Sequence, residues 1–346
     1  MRTTIKDIAS RTGLSITTVS LVLNGKGEKI SASTRELVLS AAREMHYRPN
    51  QLAVSLVKRH TKTLGVVLPD ITNSFFSFLI KAVEDEAAQH GYHLILCHSS
   101  DKKERDIENI HMLLDKAVDG IILLSSIGST TQDIENACMI ATENGVPVVL
   151  IDRVAQIAGI CSVSLDNRAG GYMGMRHLLD HGHRRIGILT GPKASPITQE
   201  RLKGAEKALL EEGLSLANCQ VYEGDYHFDS GILAADYFLH TGVSAVFSFN
   251  DSMALSLISR ALEFSVRIPQ ELSVMGFDDI AYSRLLNVPL TTIRQPVHEM
   301  GVCAAQMLID QSEQDSQVQH RTFKPSLVVR ASTAPYTGAA VKKQEQ

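Results

Sequence analysis

From Thr63 onward, short apolar runs alternate with amphipathic stretches of helical period, and this alternation restricts the possible folds more than any other feature. The runs are Leu64–Leu68, His93–Cys97, Gly120–Leu124, Val146–Ile151, Ile186–Leu189, Ala245–Ser248 and Ser273–Gly276. Each is too short for a stable helix. Strands that are apolar on both sides belong to sheets covered on both faces, and strands separated by helices run parallel. At least seven such runs predict two α/β units. A chain of 346 residues also exceeds what one hydrophobic core usually organises, so two or three domains are expected. Periodicity alone fits sugar-binding proteins and enzymes equally well.

Composition removes other classes. At 44% hydrophobic and 21% charged residues, the chain has enough apolar surface to fold and is not a disordered one. No apolar run approaches the length of a membrane helix. The opening Met1-Arg2-Thr3-Thr4-Ile5-Lys6-Asp7 is polar where a secretion signal needs an apolar stretch, so a cytoplasmic location is expected. Cysteines at 97, 138, 161, 219 and 303 form no ligand spacing and predict buried free thiols. His177 and His181, at i and i+4, could share a helix face with His183 close by in the Gly182-His183-Arg184 turn, but no second ligand motif accompanies them, and no metal or cofactor is expected. Ala169-Gly170-Gly171-Tyr172-Met173-Gly174 lacks dinucleotide-loop spacing and lies in a helical stretch, where close packing explains the glycines. No P-loop, nucleophile elbow or Cys-His signature is present.

Charge divides the chain. Residues 1–62 hold eleven Lys and Arg against four acids, whereas the remainder holds 23 basic and 34 acidic residues. A basic head on an acidic body predicts that the head meets a polyanion. Thr4 and Asp7 form a variant capping box that starts one helix, and Gly13 ends it. Ser15 can cap a second helix with Val19, Val22 and Leu23 on its apolar side, and Ser31 or Ser33 a third. In the third, Leu37, Val38, Ala41, Ala42 and Met45 are expected to cover the first two. Two short helices joined by a glycine turn make a helix-turn-helix unit.

The order Thr4-Ile5-Lys6-Asp7-Ile8-Ala9, Gly13-Leu14-Ser15, Thr18-Val19-Ser20, Leu23-Asn24-Gly25, Thr34-Arg35 and Tyr47-Arg48-Pro49-Asn50 resembles the head of the LacI/GalR family of bacterial transcription regulators. The resemblance implies that the second helix enters the major groove of operator DNA, with Ile16, Thr17 and Leu21 at base-reading positions. Ser15, Thr18 and Asn24 are implied backbone anchors, and Thr4, Tyr47 and Asn50 complete the contact set. Leu21 departs from the Arg or His of many relatives and cannot make a bidentate guanine contact. Packing inside the head is its alternative role. Residues 49–62 are an implied hinge, in which Leu56 matches the leucine that wedges into the minor groove. Val54 and Val57 replace the hinge Arg and Lys of relatives, which shifts phosphate anchoring to Lys58, Arg59 and Lys62.

Beyond the hinge, the resemblance continues through Gly65-Val66-Val67-Leu68-Pro69-Asp70, Val118-Asp119-Gly120, Asp166-Asn167, Gly182-His183-Arg184-Arg185-Ile186, Asn250-Asp251-Ser252-Met253-Ala254, Val274-Met275-Gly276-Phe277-Asp278-Asp279 and Leu290-Thr291-Thr292-Ile293-Arg294-Gln295-Pro296. Gly170-Gly171, Gly191-Pro192 and Gly224-Asp225 are similar to the ribose and purine repressors in particular. The implied fold is α/β, an N-terminal helix-turn-helix head plus a periplasmic-binding-protein-like core of two doubly wound parallel-sheet subdomains. The expected boundaries are 1–48 for the head, 63–163 with 293–322 and 164–292 with 323–334 for the subdomains, and 335–346 for a tail.

The resemblance implies an effector held by Phe75, Phe76, Asp152, Arg153, Arg201, Tyr226, Asn250 and Asp278, with Arg201 on a loop after the strand ending at Leu189. Arg201 and Asp278 are the strongest matches, while Asp70 and Asp152 could instead be halves of structural ion pairs. Ser195 and Ile197 stand where the purine repressor has polar or cationic ligand contacts, which argues for a sugar effector. The expected partners are double-stranded operator DNA, a small-molecule effector and a second copy of the chain, with no membrane. The tail lacks a leucine heptad that would build a tetramer. A sugar-modifying enzyme with an accessory DNA-binding head is the alternative.

Overall fold

Capping chemistry builds the first sixty residues. The Asp7 carboxylate accepts from the Thr4 backbone N–H at 2.7 Å while the Thr4 hydroxyl accepts from Asp7 N–H, which starts α1 (Ile5–Thr12). Gly13 ends the helix at φ +69°, a left-handed conformation open to glycine at little cost. Ser15 accepts from Thr18 N–H at 3.1 Å to start α2 (Ile16–Leu23), and Ser31 does the same with Thr34 for α3 (Ala32–Glu44). Ile8, Val19 and Val38 are fully buried between the three helices. Leu37, expected in this core, is 50% exposed. Val38, Ala41, Ala42 and Met45 form the stripe that packs, at i, i+3, i+4 and i+7, and Leu37 falls to its side.

The computed structural model describes residues 3–26, 28–47, 60–153, 157–285, 287–313 and 317–338, and the chain divides into two units, Met1–Thr61 and Lys62–Gln346. The expected hinge residues Asn50, Val54, Leu56, Val57, Lys58 and Arg59 lie outside the described residues.

The second unit contains two six-stranded sheets. The first joins β1 (Thr63–Leu68), β2 (His93–His98), β3 (Gly120–Leu123), β4 (Val148–Ile151), β5 (Cys161–Leu165) and β11 (His320–Phe323) in the order β11-β5-β4-β3-β1-β2, all parallel. In β1, Leu64, Val66 and Leu68 face one apolar cluster and Val67 faces another, so both sides are dry and the run is apolar throughout. One side is covered by α4 (Ser74–Gln89) and α11 (Val297–Glu313), the other by α5 (Lys103–Asp115) and α6 (Thr131–Glu143).

The second sheet joins β6 (Ile186–Thr190), β7 (Gln220–Glu223), β8 (Ala245–Ser248), β9 (Ser273–Asp278), β10 (Thr291–Arg294) and β12 (Ser326–Val328) in the order β12-β10-β9-β8-β6-β7, with only β12 antiparallel. Its helices pair as α7 (Asn167–Asp180) with α8 (Pro196–Glu211), and α9 (Phe228–Thr241) with α10 (Asp251–Glu263). The chain passes between the sheets after Leu165, after Arg294 and after Phe323.

All seven apolar runs form strands. Five more strands have weaker patterns: Gln220–Glu223, His320–Phe323 and Ser326–Val328 lie at sheet edges where polar side chains are tolerated, and Cys161–Leu165 and Thr291–Arg294 carry Ser and Thr within the core. All five cysteines are free thiols, four of them buried. His177 Nε2 lies 2.9 Å from the Thr333 hydroxyl, and the two ring nitrogens of His183 reach the Ser244 hydroxyl and the Ala334 carbonyl. These rings fasten residues 333–334 to the second lobe, and burial lowers the His177 pKa to about 4. No helix among the described residues is long and apolar enough to cross a membrane.

Candidate functional site

In both sheets the side chains with chemistry follow the carboxyl ends of strands, where ligands of open α/β sheets bind. Beyond β1, Asn73 caps α4 by accepting from Phe75 N–H at 3.0 Å, which fixes Phe75 and Phe76 at the first turn. Asp152 and Arg153 follow β4, Tyr226 follows β7, Asn250 follows β8, and Asp278 ends β9. Together with Arg201, these eight residues line one cavity, as do Asn73, Ile197 and Gln295. The free space among them is about 30 Å³, room for a single water.

Arg201 lies on α8, not on a loop. Its position depends on Gly171 of α7: a Cβ there would stand 2.0 Å from the Arg201 carbonyl oxygen, so only glycine lets the helices approach this closely. Gly204 meets Arg168 and Tyr172 from the opposite side in the same way. The glycine stretch thus serves packing. The Arg201 Nε–H donates to Asn167 Oδ1 at 2.9 Å, one terminal N–H donates to the Phe249 carbonyl, and the guanidinium lies 3.6 Å from the Phe277 ring centroid.

The carboxylates facing it are buried. Burial raises the pKa of Asp278 well above the usual carboxylate range, opposed by Arg201 and reinforced by Asp251. Asp278 accepts from Gln295 Nε2 at 2.7 Å, and Gln295 Oε1 is buried without a hydrogen-bond partner among the described residues. Burial also raises Asp152, opposed by Arg153 and Arg201. Behind the cavity, burial lifts Asp251 to about 6 although it accepts from Ser283, Thr292 and Ile280 N–H at 2.6, 2.6 and 2.9 Å. Asn250 caps α10 through Met253 N–H and donates to the Tyr226 carbonyl at 2.8 Å, while the Tyr226 hydroxyl meets Thr198 at 2.8 Å. Asp152, Tyr226 and Asp278 have φ values of +66°, +67° and +125°, strain of the kind that accumulates at functional sites. Asp70 lines no part of this cavity. It accepts from Thr72 N–H and hydroxyl at 2.8 and 2.7 Å, a local turn.

In the head, α2 turns Ile16, Thr17 and Leu21 outward, with Ile16 48% and Leu21 39% exposed. Leu21 therefore does not belong to the head core. Ser15 and Thr18 hydroxyls lie 2.8 Å apart, Asn24 donates to the Ser20 carbonyl at 2.9 Å, the Thr4 hydroxyl is held by Asp7, and Tyr47 packs partly buried against the head core.

A capped helix-turn-helix in the first unit and a two-lobed α/β core in the second agree with the family comparisons. Residues 4–50 match the model for bacterial regulatory proteins of the lacI family, and residues 175–333 match a periplasmic binding protein-like domain. The HTH-type transcriptional repressor PurR of Vibrio vulnificus is 36% identical over 332 residues, 94% of this chain and 97% of that one. The chain belongs to the lacI family. Its likeness to solved lacI-family structures extends over the whole fold. A lac repressor dimer bound to operator and the anti-inducer ONPF superposes with a TM-score of 0.85 at 29% identity, covering 96% of this chain and 100% of that one. A lacI-family regulator from Enterococcus faecium with bound ribose gives a TM-score of 0.73 at 28% identity, covering 80% and 100%.

Sequence reasoning missed Asn73, Ile197 as a wall, and the orphaned acceptor of Gln295. Asn73 carried a signal, an N-cap residue just ahead of the paired phenylalanines. Gln295 carried none, because its burial depends on β10 lying beside β9.

Proposed function

We propose that this lacI-family protein is a repressor whose heads bind operator DNA as a homodimer and whose core answers to a sugar or sugar derivative in the interlobe cavity. The observation that carries this reading is the convergence of eight residues from both lobes on one buried site. Carboxylates at Asp152 and Asp278, an unpaired acceptor at Gln295 and the guanidinium of Arg201 suit a ligand with several adjacent hydroxyls. The rings of Phe75, Phe76 and Tyr226 suit its apolar face. A ligand that binds the closed and open lobes unequally shifts the balance between them, and operator affinity with it.

At the operator, Ile16, Thr17 and Leu21 read bases, and Ser15, Thr18, Asn24, Thr4, Tyr47 and Asn50 fix the backbone. Leu56 wedges the minor groove. The likeness to an operator-bound lac repressor dimer supports a homodimer on two half-sites about one helical turn apart. The protein works in the cytoplasm and has no catalytic role.

A thermal-shift screen of sugars, nucleosides and sugar phosphates against the full chain tests the effector class, because a ligand of the folded state raises the melting temperature. A sugar or sugar phosphate is expected to do so. Stabilisation by nucleosides alone would replace the sugar with a purine-like effector, a class the same aromatic rings could stack. Chemical conversion of a stabilising sugar would favour the enzyme reading.

A further inference from the structure

Adjoining the cavity lining, the two lobes meet through a charged contact whose members, His227, Asp101 and Asp70, are not themselves lining residues. His227, the residue after Tyr226, belongs to the second lobe and precedes α9. Its Nε2 lies 3.4 Å from Asp101 Oδ2 and its Nδ1 lies 3.8 Å from Asp70 Oδ2. Both aspartates belong to the first lobe, beyond β2 and β1. Neither is free to swing. Asp101 accepts from Ile127 N–H at 2.9 Å and from Arg153 at 2.8 Å, and Asp70 is tied to Thr72. On its own side, His227 N–H donates to Asp225 Oδ1 at 2.9 Å. The imidazole thus faces two carboxylates across the cleft, Asp101 and Asp70, while Asp225 is bonded to the His227 backbone and acts on the ring through its charge, and the Arg153 guanidinium is engaged by Asp101.

A neutral imidazole carries one N–H and can serve one of the two aspartates across the cleft. An imidazolium carries two and can serve both. The ring is half exposed, so protons reach it in the closed form.

We propose that His227 is a positioning residue for the effector response, a proton-operated latch that holds the lobes together across the cleft. The Asp101 contact, helped by Asp225 and Asp70 and opposed by partial burial, raises the His227 pKa in the closed form. Opening removes both cross-lobe carboxylates, and the pKa returns toward its ordinary value. The stabilisation of the closed form is therefore complete below that ordinary value and is lost as the pH rises through the raised one. A ligand that prefers closed lobes then binds more tightly in mildly acidic solution, and one that prefers open lobes binds less tightly. That consequence rests on the effector reading of the cleft, whereas the latch itself does not.

The test is amide hydrogen exchange on the full-length protein at about pH 6 and about pH 8.5, corrected for intrinsic rates, over the segments 98–102 and 224–230. In the wild type, protection of both segments is expected to be several-fold greater at the lower pH. In His227→Gln it should be the same at both values and match the unlatched wild type. Because His227 is half exposed, the variant should melt near the wild type. Histidine-labelled carbon NMR provides a second readout, since the one ring signal lost in His227→Gln should titrate above the ordinary histidine value. Protection independent of pH in the wild type, or pH-dependent protection surviving in His227→Gln, would overturn the proposal. A ligand screen that fails while the exchange result holds would discard the effector reading and leave the latch.

Discussion

The head and the cleft both rely on polar side chains, in opposite surroundings. In the head, Thr4, Ser15 and Ser31 are in contact with water and their bonds span three residues. In the cleft, Arg201, Asn250 and Asp278 are almost wholly buried, and apart from the local cap of Asn250 on Met253 their side chains bond to residues 17 to 48 positions away along the chain. A water-exposed cap exchanges one hydrogen bond for another with solvent, and its loss costs little. A buried charge has given up its hydration, so its remaining partners matter far more. The head is therefore suited to drift in what it reads while keeping its fold. In the proposed effector site, the cleft would join fold and recognition in the same atoms.

The largest expected effect tests the packing beneath the cleft. Gly171→Ala puts a methyl group into the α8 backbone at Arg201, which cannot yield as a side-chain tip could. The core should lose roughly 3 kcal/mol, read as a lower denaturation midpoint, while the head keeps its own transition. An unchanged core midpoint would mean that the helices separate freely.

Arg201→Met should come next. It keeps much of the side-chain volume and removes the charged donors, so affinity for a stabilising ligand found in the screen should fall about ten- to a hundredfold, at roughly 1–3 kcal/mol per charged hydrogen bond. Operator affinity without ligand should stay within about twofold. A parallel loss of operator binding would show that Arg201 supports the fold more than the ligand.

Leu21→Arg moves the comparison to the head. An exposed leucine replaced by a bidentate donor should alter base preference at one operator position by about 1–3 kcal/mol, measured by competition among operator variants, with the head still folded. Loss of folding would place Leu21 in the core despite its exposure.

The smallest effect is expected from Thr4→Ala. Removing the α1 cap should cost the head about 1 kcal/mol in its own melting transition and leave ligand binding in the core unchanged. A drop well beyond that would mean that exposed caps bear more of the head than their surroundings allow.

The legibility of each region follows from the range of the interactions that build it. Thr4, Gly13, Ser15 and Ser31 mark helix ends through contacts within one turn, and residue types announced the first three directly while leaving Ser31 or Ser33 for the third helix. The seven apolar runs were equally readable, because a strand dry on both faces must be apolar throughout. The eight residues implied for the effector came from the family resemblance, and they do line one cavity, but residue type alone could not separate Asp152 in the cavity wall from Asp70 in a local turn.

What the sequence by itself determined was the inventory: a capped helix-turn-helix, two sets of covered parallel strands, and polar residues at the strand ends. Tertiary structure alone decided which of those ends meet. It set Arg201 on a helix held close by Gly171, left an acceptor of Gln295 unpartnered, gave Asp152, Tyr226 and Asp278 their left-handed backbones, and brought His227 against two aspartates more than 120 residues earlier in the chain. The physical reason is that three chain crossings between the sheets fix these neighbours, and the pKa of a buried carboxyl or a half-buried imidazole depends on neighbours and burial rather than on local sequence.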